Sequence, residues 1–198
     1  MYKKMLVTAA ITATVGFGGG VVNAATIDFN SYADGTALSS LGDVSFSLAG
    51  GPGVIGTPTI GLHSYGEGGL INSTLGAPGF NNGYPTTNIL AFSFSGLASG
   101  ISMKIWEASP VTWTAYDSVN SVVSTGSFVF NGVHAITGSG IKTLALNNNS
   151  GNSSWVFSVA SMEYTVTAVP EPETYAMMLA GLGVLGAIAR RRKAKQIA

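Results

Sequence analysis

Two histidines, a few carboxylates and one glycine-rich run are the residues of this 198-residue chain whose types could do chemistry. Ser64 stands in Leu62-His63-Ser64-Tyr65-Gly66, which keeps the second glycine of the G-x-S-x-G turn that exposes a nucleophile but has Leu62 where the first should be. That turn is strained and needs a small residue on both sides of the serine. A triad would further require His134 and a carboxylate to meet Ser64 in space. Glycoside hydrolysis needs two carboxyl groups about 5 to 9.5 Å apart across a cleft. Glu67, Glu107, Asp117 and Glu163 supply carboxyl groups, but their spacing selects no pair, and solvated surface positions account for them. A histidine metal centre would need both His63 and His134 with carboxylates; calcium held by Asp and loop carbonyl oxygens suits the composition better. No other cofactor is called for.

The run Gly181-Leu182-Gly183-Val184-Leu185-Gly186 fits G-x-G-x-x-G letter for letter. A dinucleotide site also needs a strand before the glycines and an acidic residue about 20 positions after them. No Asp or Glu follows Glu173, so these glycines are not a nucleotide fingerprint. Charge placement excludes another class of ligand. Between Ala25 and Ala168 the only cations are Lys104 and Lys142, against Asp28, Asp34, Asp43, Glu67, Glu107, Asp117 and Glu163. A surface of that sign does not neutralise phosphates, which rules out nucleic acid as a partner. Cysteine is absent, so there are no disulfides, thiolate ligands or thiol nucleophile.

The remaining cations mark the two ends. Lys3 and Lys4 precede an apolar run from Met5 to Phe17, glycines end it, and Val22-Asn23-Ala24 follow before Ala25. This is the order of a secretory signal peptide over 1–24, with the signal peptidase site between Ala24 and Ala25. At the other end, Val169-Pro170-Glu171-Pro172-Glu173 is an extended, non-helical hinge because its prolines lack backbone donors. The uncharged residues 174–189 follow, expected as a transmembrane helix of about 24 Å against a hydrocarbon core of about 30 Å. Gly183 and Ala187 would give that helix a small-residue face for close approach. Arg190, Arg191 and Arg192 then form a basic stop in the tail 190–198.

A Val-Pro-Glu-Pro hinge, an uncharged helix and an arginine cluster, in that order and behind a signal peptide, resemble the PEP-CTERM proteins of Gram-negative bacteria. The resemblance covers 169–198 and implies recognition of Pro170, Glu171 and Pro172 by exosortase, with signal peptidase as the other export partner. It also implies a membrane-anchored precursor that is then released to the cell surface or exterior, in association with exopolysaccharide, biofilm and extracellular matrix.

Between the two ends, apolar residues recur with period two. Examples are Leu90, Phe92 and Phe94; Ile101, Met103 and Ile105; Trp113 and Ala115; Phe128 and Phe130; Leu144 and Leu146; and Met162, Tyr164 and Val166. With TIDF, DVSFSL, GGLIN and WVFSVA these make about ten strands divided by Gly, Asn, Ser and Pro clusters. The expected fold is all-β: an antiparallel β-sandwich over 25–168, flanked by a signal helix and a transmembrane helix. Its segments resemble jelly-roll, carbohydrate-binding-module-like ectodomains: Asp28-Phe29 in an opening strand, Asp34-Gly35-Thr36 before DVSFS, Ala115-Tyr116-Asp117 before a turn, and a closing strand pair from Trp155 to Thr167. The resemblance implies calcium at the opening Asp. Relatives often carry Asp-Asn in the last strand, where this chain has Ser158-Val159-Ala160-Ser161, a departure that weakens the calcium site.

Sugar binding needs exposed aromatic faces beside polar groups. Tyr116 with Asp117, Trp106 beside Glu107, and Tyr84 in Phe80-Asn81-Asn82-Gly83-Tyr84 are the candidate glycan contacts; the competing role for each tryptophan is to fill the core. The expectation is therefore a non-enzymatic, exported surface or matrix protein that contacts polysaccharide weakly. The alternatives are a purely structural or adhesive protein that binds no glycan, and a secreted hydrolase using Ser64 or an acidic pair.

Overall fold

The computed structural model describes residues 22–49, 56–62, 68–74, 89–106, 110–129, 131–148, 156–167 and 179–185. The chain divides into two units, Met1–Ala168 and Val169–Ala198. In the first, the period-two runs become strands: β1 Val22–Asp28, β2 Ser40–Leu41, β3 Val44–Ala49, β4 Ile60–Leu62, β5 Gly68–Ile71, β6 Ile89–Trp106, β7 Val111–Tyr116, β8 Val122–Phe128, β9 Gly132–Ala135, β10 Ser139–Asn148 and β11 Ser158–Thr167. Every ladder is antiparallel. A single 3-10 turn, Phe29–Ser31, follows β1.

The layering is sandwich-like, but the two layers are parts of one hydrogen-bonded sheet that does not close into a barrel. This corrects the expected jelly-roll sandwich, and β6 is the physical reason. The runs around Phe92 and Met103, read from sequence as separate strands, are the two halves of this one long strand. Its first half pairs with β3 on one side and β10 on the other; its second half pairs with β11 and β9. Between Ser93 and Ala98 of β6, β10 advances only from Thr143 to Ile141, so β6 bows away as it changes layer.

A second irregularity keeps both halves facing the core. From Ser99 to Ser102, β6 spends one residue more than β11 spends from Thr165 to Glu163, and Gly100 takes φ +58° there. That bulge shifts the alternation by one position, so even-numbered Leu90, Phe92 and Phe94 and odd-numbered Ile101, Met103 and Ile105 are all buried. The core runs through Phe29, Phe46 and Phe92, whose rings meet edge-on at 5.6 and 5.5 Å. Each buried ring contributes about 1.5–3 kcal/mol by leaving water, and each edge-on pair about 0.5–1.5 kcal/mol more. Close backbone approach fixes Gly69: a Cβ there would lie 2.2 Å from the Val159 carbonyl oxygen on β11.

The closing strand pair expected from Trp155 to Thr167 is the single strand β11, preceded by Val156 and Phe157. At the other end of the domain, residues 22–24 are strand and pair with Thr167, Val166 and Thr165. Residues 1–21 lie outside the described residues.

In the second unit, residues 179–185 are helical. No helix among the described residues is long and apolar enough to cross a membrane. This overturns the expected transmembrane helix over 174–189, and with it the membrane-anchored precursor. The described helical residues 179–185 rise about 10 Å, and Gly181 and Gly183 each cost about 1 kcal/mol relative to alanine in a helix. Leu182 and Val184 are exposed, and Cβ atoms at Gly181 and Gly183 would meet nothing.

Candidate functional site

A polar concavity on the described surface lies where β6 bows out of its ladder with β10. Two serine-alternating strands meet here in register, Ser45 of β3 opposite Ser93 of β6, so their hydroxyl-bearing side alternates with the core side. Ser40, Gly42, Asp43, Ser45, Ser93, Ser95 and Lys142 line an open concavity of about 350 Å³. Bonds to the bowed strand fix its geometry. Ser95 N donates to the Asp43 carbonyl at 2.7 Å, and Ser95 Oγ donates to Asp43 Oδ1 at 3.1 Å. Lys142 Nζ donates to the Ser95 carbonyl at 2.7 Å. The lysine thus satisfies a carbonyl in the stretch where the ladder slips.

Beneath this notch, the buried Tyr164 ring packs 5.5 Å from Phe94. Its hydroxyl lies at the turn between β2 and β3. Burial raises the phenol above its ordinary value, the Asp43 charge raises it further, and a hydrogen bond from the Asp43 backbone opposes both. The phenol therefore stays protonated at neutral pH. The notch offers hydroxyls, one carboxylate and one ammonium for hydrogen bonding, with Ser95 Oγ and Lys142 Nζ already turned onto protein oxygens. Sequence reading missed it because the signal is a register, Ser45 against Ser93, and the alternation of Ser and apolar residues in both strands is the one hint.

The sequence-derived candidates fall elsewhere. Tyr116 ends β7, half-buried, between Thr143 of β10 and Val122 of β8. Asp117 builds the next turn: its Oδ1 accepts from Val119 N at 2.9 Å and Ser121 N at 2.8 Å, and Asn120 takes φ +61° within that turn. Trp106 ends β6, half-buried, opposite Ser158. The ladder of Tyr116 runs through Thr143 to Ser93 in the first half of β6, whereas Trp106 closes the far end of the same strand. The structure does not bring these two aromatics together. Trp113 is buried, and its ring covers Gly126, where a Cβ would come within 2.5 Å of it.

Tyr84, His63, Ser64, Glu67, Glu107 and Trp155 lie outside the described residues, as do Val169, Pro170, Glu171, Pro172, Arg190, Arg191 and Arg192. His134 sits on β9 with its ring 4.7 Å from that of Phe128. Asp28 caps the 3-10 turn by accepting from Asn30 N at 3.0 Å, and Asn30 ties that turn to Ala160 O and Gly68 N. Among the described residues, no three His, Cys, Asp or Glu side chains come together as a metal site. Ala24 and Ala25 lie within β1, opposite Thr165 and Tyr164.

No curated protein matches the chain. Residues 168–193 match the family model described as the PEP-CTERM protein-sorting motif. The match starts one residue beyond the end of β11, at the boundary between the two units. The chain therefore carries at 168–193 the PEP-CTERM protein-sorting motif, the mark of an exosortase substrate, which supports export by that route.

Proposed function

We propose that the β-domain is a non-catalytic structural or adhesive component of the cell surface, delivered there by its sorting tail and acting without a dedicated glycan site. The observation that carries this reading is where its polar side chains are spent. Asp28, Asn30, Asp43, Ser95, Asp117 and Lys142 all bond to backbone or to one another in turns and strand irregularities. They hold the sheet in shape, and Tyr116 and Trp106, two of the aromatics read as stacking platforms, stand on separate ladders.

A second reading, weak contact with extracellular polysaccharide, is favoured by one feature. Thr112, Thr114 and Tyr116 form a half-exposed row on β7, away from its buried face of Val111, Trp113 and Ala115. A glycan array probed with residues 25–168 tests the choice. The structural reading expects no glycan above background; a hit lost in Tyr116→Ala would replace it with the second.

A further inference from the structure

The bond expected for signal peptidase, Ala24–Ala25, lies inside β1, which runs unbroken from Val22 to Asp28 and pairs along its whole length with β11. Beyond that bond the strand is anchored. Ala25 packs against the core, Ile27 and Phe29 are buried in it, and Asn30 is tied to Ala160 O and Gly68 N. A cleft holds an extended peptide by main-chain hydrogen bonds. Seating Ala24–Ala25 in a protease would therefore lift the residues on both sides of the bond out of the sheet, Ile27 among them. The partner strand is also the last one to be made available. β1 is the first strand of the domain and β11 the last, so almost the whole domain separates residues that lie side by side in the ladder.

We infer that the docking of β1 on β11 sets the order of maturation: signal peptidase cuts while β1 is unpaired, and a chain that completes its fold uncut keeps its signal peptide locked into the sheet. Hydrolysis of the Ala24–Ala25 amide consumes one water and leaves a carboxylate on Ala24 and an ammonium on Ala25. The inference takes the cleavage site from the sequence and goes beyond the structural role proposed for the domain. The position of β11 supplies the interval for the cut. A chain exported in sequence order presents Ala24–Ala25 long before Ser158–Thr167 arrives, and joining such distant segments carries a loop-closure cost that delays the ladder further. The division of β1 at the cut agrees with this order. Val22, Asn23 and Ala24, which the cut removes, supply only the pairs to Thr167, Val166 and Thr165. The residues kept supply the pairs to Tyr164, Glu163, Met162 and Ser161 together with the buried Ile27, so the cut chain still docks.

An order-of-addition experiment tests it. The full-length chain is diluted from urea, signal peptidase in detergent micelles is added after increasing delays, and the product is identified by mass. Added at once, the enzyme cuts after Ala24. Added after tryptophan fluorescence has reached its folded value, it cuts at least about tenfold more slowly, because the cut then waits on local opening of β1, which the burial of Ile27 opposes. Ile27→Ala leaves Val22 to Ala25 unchanged and speeds cutting of the folded chain but not of the unfolded one, with circular dichroism confirming that the variant folds; the wild-type comparison stands without it. Equal rates for folded and unfolded wild type overturn the inference and leave the cleavage site intact. A folded Ile27→Ala chain cut as slowly as wild type also overturns it, since the protection would then lie outside this ladder. An unfolded chain that is not cut after Ala24 overturns the site read from the sequence, and the inference with it.

Discussion

Tyr164 joins the core to the surface notch, since its ring packs on Phe94 while its hydroxyl meets the backbone of Asp43. A phenol raised by burial and by a nearby carboxylate is a stability term with a definite sign. The folded state holds its proton more tightly than the unfolded chain, so the contribution is fully present below the ordinary tyrosine value of 10.0 and is lost as pH rises through the higher folded value. Urea midpoints measured from neutral pH to above pH 10 should therefore fall at the alkaline end. Tyr164→Phe should flatten that fall, because the unfolded chain then has no phenol to ionise at this position; an unchanged slope would mean that the alkaline loss comes from other groups. The residue scale is also where sequence reading ran out. Tyr164 was legible as an inward-facing strand residue, but its partner Asp43 lies far away in sequence and only the folding of β3 against β6 brings it near.

At the scale of elements, β6 is the strand on which both layers depend. Its halves were legible because their alternation is strong, and Gly96 and Gly100 made the segment between them read as a loop. A Cβ at Gly96 would lie 2.3 Å from the Thr167 carbonyl oxygen, and Gly100 sits in the left-handed region. These glycines allow the strand to pass a neighbouring backbone and to carry a bulge, which no local pattern distinguishes from a turn. Deleting Gly100 removes the extra residue and turns Ile101, Met103 and Ile105 to the outer face, against the ladder with β11. The expected outcome is loss of the cooperative urea transition. A deletion variant that unfolds like the wild type would mean the alternation is reset elsewhere on β6. Gly100→Ala, which keeps the residue count, should cost about 1 kcal/mol through its positive φ alone.

At the scale of the whole molecule, the sorting tail and the domain read with opposite ease. The tail was legible because its hinge, uncharged run and arginines occur in a fixed order, and the family match over 168–193 agrees with that reading. Its uncharged run was over-read as a membrane span, since hydropathy counts glycine as neutral while helix formation penalises it. The domain's function was not legible, because its candidate residues were chosen by type, a criterion blind to the ladders that place Tyr116 and Trp106 apart. Glu171→Ala and removal of Arg190, Arg191 and Arg192 should each leave the chain at its unprocessed mass in the producing cell, measured by mass spectrometry of the tagged protein. Normal mature mass from both variants would separate this tail from exosortase processing.

The ladder between β1 and β11 bears on how the domain withstands a pull. β11 runs directly into the sorting segment, so a load applied to the tail enters the domain along this strand. It is held by β6 along its length and by β5 and β1 on its other side. Cleavage after Ala24 would leave Thr165, Val166 and Thr167 gripped by β6 alone, with the two-sided hold resuming at Glu163, between Thr26 of β1 and Ser102 of β6. Antiparallel ladder bonds lie across the strand, so tension along β11 loads many of them together in shear instead of opening them one by one. The strand next to the sorting signal is thus a mechanical root, able to bear force on the domain without giving up its core.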